Sequence, residues 1–236
     1  MSQRISHSVL DPIIGPRLKA LYPHLHVPKG FPPEGIVLVG HVFALIGAVG
    51  FALSPTFWWG GMLAAVGVIG NHTADCVDGT HARATGQCRN GGELLDHFTD
   101  PLSFAYWLIG LGIAASSTGL ALAAVVCLFC VAVLTNIKAK LLGEFTLTSF
   151  GPTEFKTLLV FLGFAFSLIF ALDSALVSRA AFAAISALVA IGVVYLPIQL
   201  ARAVKEVNEF GDPPDQSEWV TVRGETDAAP HGAIGD

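Results

Sequence analysis

The 236-residue chain is 53% hydrophobic and only 13% charged, with a mean hydropathy of +0.64. That composition excludes a soluble domain, which needs far more charge to face water, and places the chain in a bilayer. The net charge of −5 says little by itself, since distribution matters more than the sum, and no nucleic-acid partner is expected.

A hydrocarbon core about 30 Å thick needs roughly 20 apolar residues per helical crossing. Six such runs are predicted, at about 35–54, 56–74, 101–117, 118–137, 155–173 and 180–201. The expected fold is therefore all-α and integral to the membrane, with six transmembrane helices behind an N-terminal amphipathic interfacial helix. Its expected parts are a cytoplasmic N-terminus over 1–33, a six-helix domain over 34–204 and a flexible tail over 205–236.

Cations fix the orientation. Arg4, Arg17, Lys19 and Lys29 precede the first run; Arg83 and Arg89 follow the second; Lys138, Lys140 and Lys156 follow the fourth; Arg202, Lys205 and Arg223 follow the sixth. Only Arg179 falls on the other side, so the positive-inside rule predicts both termini and residues 75–100 in the cytoplasm. A signal peptide is not expected, because six prolines punctuate the first 33 residues.

In chain order, residues 8–25 come first, with Val9, Leu10, Ile13, Ile14, Leu18, Leu21, Tyr22 and Leu25 near helical spacing beside Arg17 and Lys19. That pattern predicts a helix lying in the membrane interface. The first run opens after Pro32 and Pro33 and contains His41, read as bonded to a neighbouring helix. The second opens with Trp58 and Trp59 as an aromatic belt, and its Gly60, Gly61, Gly67 and Gly70 predict close helix approach. Cys127 and Cys130 form a CxxC within an apolar run, and with Cys76 and Cys88 they read as small buried hydrophobes. Pro197 predicts a kink in the last helix.

One stretch breaks the apolar pattern: residues 75–100, DCVDGTHARATGQCRNGGELLDHFTD. Asp75 and Asp78 are three apart and Asp96 and Asp100 four apart, so each pair shares one helix face. Gly79, Thr80, Gly86, Asn90, Gly91 and Gly92 predict a flexible joint that folds the pairs together. Two unit charges about 4 Å apart repel by roughly 4 kcal/mol at an effective dielectric of 20, so four carboxylates at one spot call for cations. Oxygen ligands favour Mg²⁺ or Mn²⁺, and two ions would balance the charge. Arg83, about a turn beyond Asp78, is placed to grip a phosphate, and small residues at Gly79, Ala82 and Gly92 leave room for a base or diphosphate. The composite reads as a site for a nucleotide diphosphate.

Asp75-x2-Asp78-Gly79-x2-Ala82-Arg83-x8-Gly92-x3-Asp96-x3-Asp100 matches all eight defined positions of the CDP-alcohol phosphotransferase signature. The chain resembles that family, and the six-run layout with its leading helix extends the resemblance over most of residues 8–204. The resemblance implies a membrane enzyme, usually a homodimer, that moves a substituted phosphate from a CDP-linked donor to a hydroxyl acceptor and releases CMP. Gly92-Glu93-Leu94-Leu95-Asp96-His97 and Gly151-Pro152-Thr153-Glu154 are similar to the GELFDH and GPTE or GPVE stretches of the choline and ethanolamine branch, whose acceptor is diacylglycerol.

By the same resemblance, Asp75, Asp78, Asp96 and Asp100 hold two metal ions, and Arg83 with Gly79, Ala82 and Gly92 contacts the donor. It implies three candidate bases for the acceptor hydroxyl: Asp100, His97 and Glu154. An imidazole titrates in the useful range, but His97 could instead orient the metal ligands, and Glu154 could cap the fifth membrane helix. Pro33-Glu34-Gly35-Ile36-Val37 departs from the PNxIT-like stretch of many members, which bears on the donor contacts. The neighbouring alternative is a CDP-diacylglycerol-dependent phosphatidyltransferase with glycerol phosphate, serine or inositol as acceptor. A polyprenyl transferase would carry its acidic motifs far apart, and a metal transporter would carry acids at mid-membrane.

Overall fold

The computed structural model describes residues 3–147, 149–213 and 216. Most of the tail expected to be flexible, including Arg223, lies outside the described residues. Six long helices dominate: α2 (Pro33–Leu53), α3 (Trp58–Thr85), α4 (Asn90–Ala114), α5 (Thr118–Leu142), α6 (Pro152–Leu172) and α7 (Ser174–Phe210). Local chemistry sets their ends. Pro33 and Pro152 occupy first helical positions, where a missing amide hydrogen costs nothing. Asp173 caps α7 by accepting from the Ala175 amide at 2.9 Å. Gly86 and Gly143 close α3 and α5 at φ +70° and +69°, the left-handed conformation that favours glycine.

Four of these helices, α2, α5, α6 and α7, are long and apolar enough to cross a membrane. The helices α3 and α4 fall short of that standard for a physical reason: glycine, tryptophan, Asn71, His72 and the aspartates dilute their apolar content. Large side chains such as Leu38, Val126, Phe161, Leu168 and Val194 point outward. The core gathers Phe51, Val68, Trp107, Leu111, Leu159, Phe166 and Ile185 between the helices. Trp107 is fully buried, and its indole donates to the Ala44 carbonyl at 2.9 Å, tying α4 to α2.

The close approach expected along α3 is present. A Cβ on Gly67 would collide with the Gly47 backbone of α2, and one on Gly61 with the Gly163 carbonyl of α6. The helix α3 is thus clasped between α2 and α6, backbone against backbone.

The N-terminal segment differs from the expected single amphipathic helix. Only α1 (Asp11–Lys19) is α-helical, with Pro16 inside it, and a 3-10 turn follows at Tyr22–Leu25. Prolines at 12, 16 and 23 shorten what apolar spacing alone would extend. Val9, Ile13, Leu21 and Leu25 are exposed, whereas Tyr22 packs with Val27 against Ile36, Ala74 and Val77. A short strand β1 (Gln3–Ser6) pairs in parallel with β2 (Glu144–Leu147), joining the N-terminus to the α5–α6 connection. No local pattern in the sequence predicts this pair.

Substituting Gly67→Val should wedge α2 from α3 and lower stability by about 1–3 kcal/mol, as overpacking does. Thermal unfolding in detergent measures this; an unchanged midpoint would contradict the clasp.

Candidate active site

The joint that folds α3 onto α4 is tighter than expected. The helix α3 runs unbroken through Gly79 and Thr80 to Thr85, and α4 already begins at Asn90, so Gly91 and Gly92 lie in its first turn. Only residues 86–89 make the turn. The hydrogen bonds of a continuous helix outweigh the freedom of a single glycine such as Gly79. One consequence is that Asp75, Asp78, Ala82 and Arg83 are all carried on one continuous helix.

Folding brings carboxylate oxygens of Asp75, Asp96 and Asp100 within 4.8 Å of one another. Asp78 lines the same cleft with Val37, Gly40, His41, Asn71, Thr99 and Ser103, and one of its oxygens accepts from the Gly79 amide. Burial, followed by the charge of Asp75, pushes the Asp78 carboxyl up to about 7 and raises that of Asp96. Such acids are poorly stable as bare anions.

Oxygen donors converging from two helices fit a hard divalent cation. A second observation agrees: the Asn71 amide nitrogen donates to the Gly40 carbonyl at 3.1 Å, which fixes the amide orientation. Its oxygen is then buried with no partner among the described residues. The lining therefore holds at least one more unsatisfied oxygen than its own hydrogen bonds use.

A positive charge also reaches the cluster. Lys156 of α6 is 1% exposed, with its Nζ 2.6 Å from Asp75 Oδ2 and 3.1 Å from Asp100 Oδ1. In the sequence, Lys156 stands only as one of the cations that mark the cytoplasmic side. Its signal was its place on the buried face of α6, in line with Leu159, Gly163 and Phe166 at helical spacing.

Arg83 is exposed near the end of α3, and its guanidinium lies over Gly79, where an added Cβ would come 3.3 Å from it. Gly92 faces open space across the joint. Within the signature, the variable position His81 is fully buried: its Nε2 donates to the Phe31 carbonyl at 2.8 Å, so Nδ1 accepts from the Tyr22 hydroxyl at 2.9 Å. His41 meets Tyr106 of α4 at 3.3 Å, a contact with a neighbouring helix as expected.

The two candidate bases outside the signature have different surroundings. His97, on α4 beside Asp96, packs its ring on Phe145 of β2 with centroids 4.6 Å apart. Glu154 accepts from the Ser8 hydroxyl at 2.6 Å, the Val9 and Leu10 amides at 2.8 and 2.9 Å, and the Gly151 amide at 2.9 Å. Both of its oxygens are thereby engaged, one binding the N-terminal segment and one capping α6.

Residues 35–201, most of the chain, match the family model described as CDP-alcohol phosphatidyltransferase. The chain belongs to this family. Part of it is similar to cholinephosphotransferase 1 of Homo sapiens, 33% identical over 95 residues that cover 38% of this chain and 23% of the human protein. The Mus musculus protein of the same name is 33% identical over 94 residues, covering 37% and 24%; that of Bos taurus is 32% identical over 94, covering 37% and 23%. The aligned stretch thus spans about a quarter of each relative's length.

Glu154→Ala should release the N-terminal segment. Losing several charge-assisted hydrogen bonds, each about 1.5–3 kcal/mol, should speed tryptic cleavage at Arg17 and Lys19 by tenfold or more. Cleavage at the wild-type rate would contradict the anchoring.

Proposed function

We propose that this chain is a phospholipid-synthesising phosphotransferase that moves phosphocholine or phosphoethanolamine from a CDP-alcohol to diacylglycerol and releases CMP. One observation carries the reading: both arms of the signature bring their carboxylates to one cleft, with Arg83 further along α3 and its guanidinium over Gly79. The similarity of part of the chain to cholinephosphotransferase 1 supports the branch.

In this reading all six long helices lie in the bilayer, with α1 at its surface and the cleft and both termini facing the cytoplasm, as the cation distribution favours. The chain acts as a homodimer. Asp75, Asp78, Asp96 and Asp100 hold two Mg²⁺ or Mn²⁺ ions, which when bound neutralise the diphosphate and polarise the transferring phosphoryl group.

The protein's own part is positioning and proton transfer. Arg83 grips the donor diphosphate in bidentate fashion, with Gly79 and Ala82 letting it lie against α3 and Gly92 leaving space across the joint. The acceptor oxygen attacks the phosphorus bonded to the headgroup oxygen, in line with the departing CMP. Its proton passes to a base. We assign that role to His97, which follows Asp96 on α4 and carries an imidazole, a base suited to near-neutral pH, with Asp100 and Glu154 as the other candidates.

Purified protein with Mg²⁺ and diacylglycerol should form lipid from CDP-choline or CDP-ethanolamine. Product only from CDP-diacylglycerol plus a polar alcohol would overturn the branch and favour a phosphatidyltransferase. Asp78→Asn should cut CMP release by at least about a hundredfold, as loss of a metal-holding carboxylate does. His97→Gln should lower kcat by roughly 10²–10⁴ with KM little changed, the signature of a lost base. A near-normal kcat would return the role to Asp100 or Glu154.

A further inference from the structure

We propose that Lys156 is a resident cation of the acid cluster: its ammonium holds Asp75 and Asp100 in place before a divalent ion arrives, and sets how much ion is needed to load the site. The inference rests on the metal-holding role proposed for those acids.

Three observations point the same way. First, Lys156 is 1% exposed, at the point where the buried side of α6 passes from Thr153 and Glu154 to Leu159, Gly163 and Phe166, and a buried cation there needs a partner. A buried ammonium is costly, and well-packed hydrophobes often replace buried ion pairs without loss of stability. Second, its two carboxylate partners come from α3 and α4, one from each arm of the signature, at 2.6 and 3.1 Å. The ammonium therefore fixes the separation of the two arms from a third helix. Third, both partners belong to the trio whose oxygens converge within 4.8 Å, so ammonium and divalent ion address the same charge.

The contacts explain what each side gains. Without a cation the clustered carboxylates repel one another and the two arms splay. With Lys156 between them, the ligands stay assembled on a site that is already partly neutralised, and an incoming ion finds less negative charge. A lysine suits this role better than an arginine, because a compact charge on a four-carbon stem can draw aside when an ion binds. The Phe104 ring, 5.6 Å from Nζ, lines the ammonium's pocket.

The test compares wild type with Lys156→Met in detergent, by thermal unfolding in EDTA and in saturating Mn²⁺, and by Mn²⁺ titration followed by electron paramagnetic resonance. In EDTA the variant should unfold roughly 10 °C lower, as expected when a buried pair loses one partner. Mn²⁺ should restore most of that loss, and its dissociation constant should tighten about tenfold or more. A lysine with only a packing role would lose equal stability with and without Mn²⁺; that result, or an unchanged or weaker Mn²⁺ affinity, overturns the proposal. If wild type itself binds no Mn²⁺, the metal role of the acids falls as well, whereas normal wild-type binding with an identical variant removes only the role of Lys156. Lys156→Gln, purified in Mn²⁺, serves as the second variant; failure of both to fold in saturating Mn²⁺ would also overturn it, since the ion is predicted to take the ammonium's place.

Discussion

Charge that leaves water must be matched, and in this protein the match spans three helices. Asp75 stands on α3, Asp100 on α4 and Lys156 on α6, and their contacts at 2.6 and 3.1 Å lie above an apolar core that includes Phe104, Leu159 and Phe166. Removing one member of a buried ion pair typically costs 3–5 kcal/mol, so no two of these helices can shift independently at this level. The neighbouring elements follow from that. Glycines at 61, 67 and 163 let the helix backbones come close enough for a lysine to reach across, and Trp107 fastens α4 to α2 through the Ala44 carbonyl.

A second set of contacts holds the N-terminal segment against the same region. Its strand β1 pairs with β2, its Ser8, Val9 and Leu10 donate to Glu154, and its Tyr22 and Phe31 engage His81. His81 sits between the signature's fixed positions, and Glu154 lies two residues before Lys156 on α6. The polar chemistry of the cleft and the docking of the N-terminus thus share the same short pieces of chain. This gives the Gly151–Glu154 stretch a structural task, seating the segment before α1, whatever else it does.

Much of the site was legible because its residues are local in sequence. Asp75, Asp78, Ala82 and Arg83 occupy one helix, Asp96 and Asp100 another, and helical spacing alone puts each pair on a common face. The joint is tighter than its glycines suggest: glycine in a sequence implies freedom, yet in a helix the surrounding hydrogen bonds hold it, and of the glycines at 79, 86, 91 and 92 it is Gly86 that takes a positive φ. The N-terminal helix is shorter than apolar spacing predicts for a related reason, since that spacing runs past prolines that end regular structure. The strand pair β1–β2 joins residues some 140 positions apart, a distance at which no local pattern speaks.

Composition and periodicity determined by themselves that the chain is an apolar helical protein, and the 26-residue motif determined its family, because both are properties of neighbouring residues. Tertiary structure alone decided which charges meet. Lys156 is 56 residues from Asp100 and 81 from Asp75, and Glu154 is 146 from Ser8. Pairing of that kind depends on how helices pack, on glycine contacts measured in tenths of an ångström, and on the cost of leaving any buried charge alone. A lysine that marks the membrane edge in the sequence therefore becomes, in the fold, the counter-ion at the centre of the acid cluster.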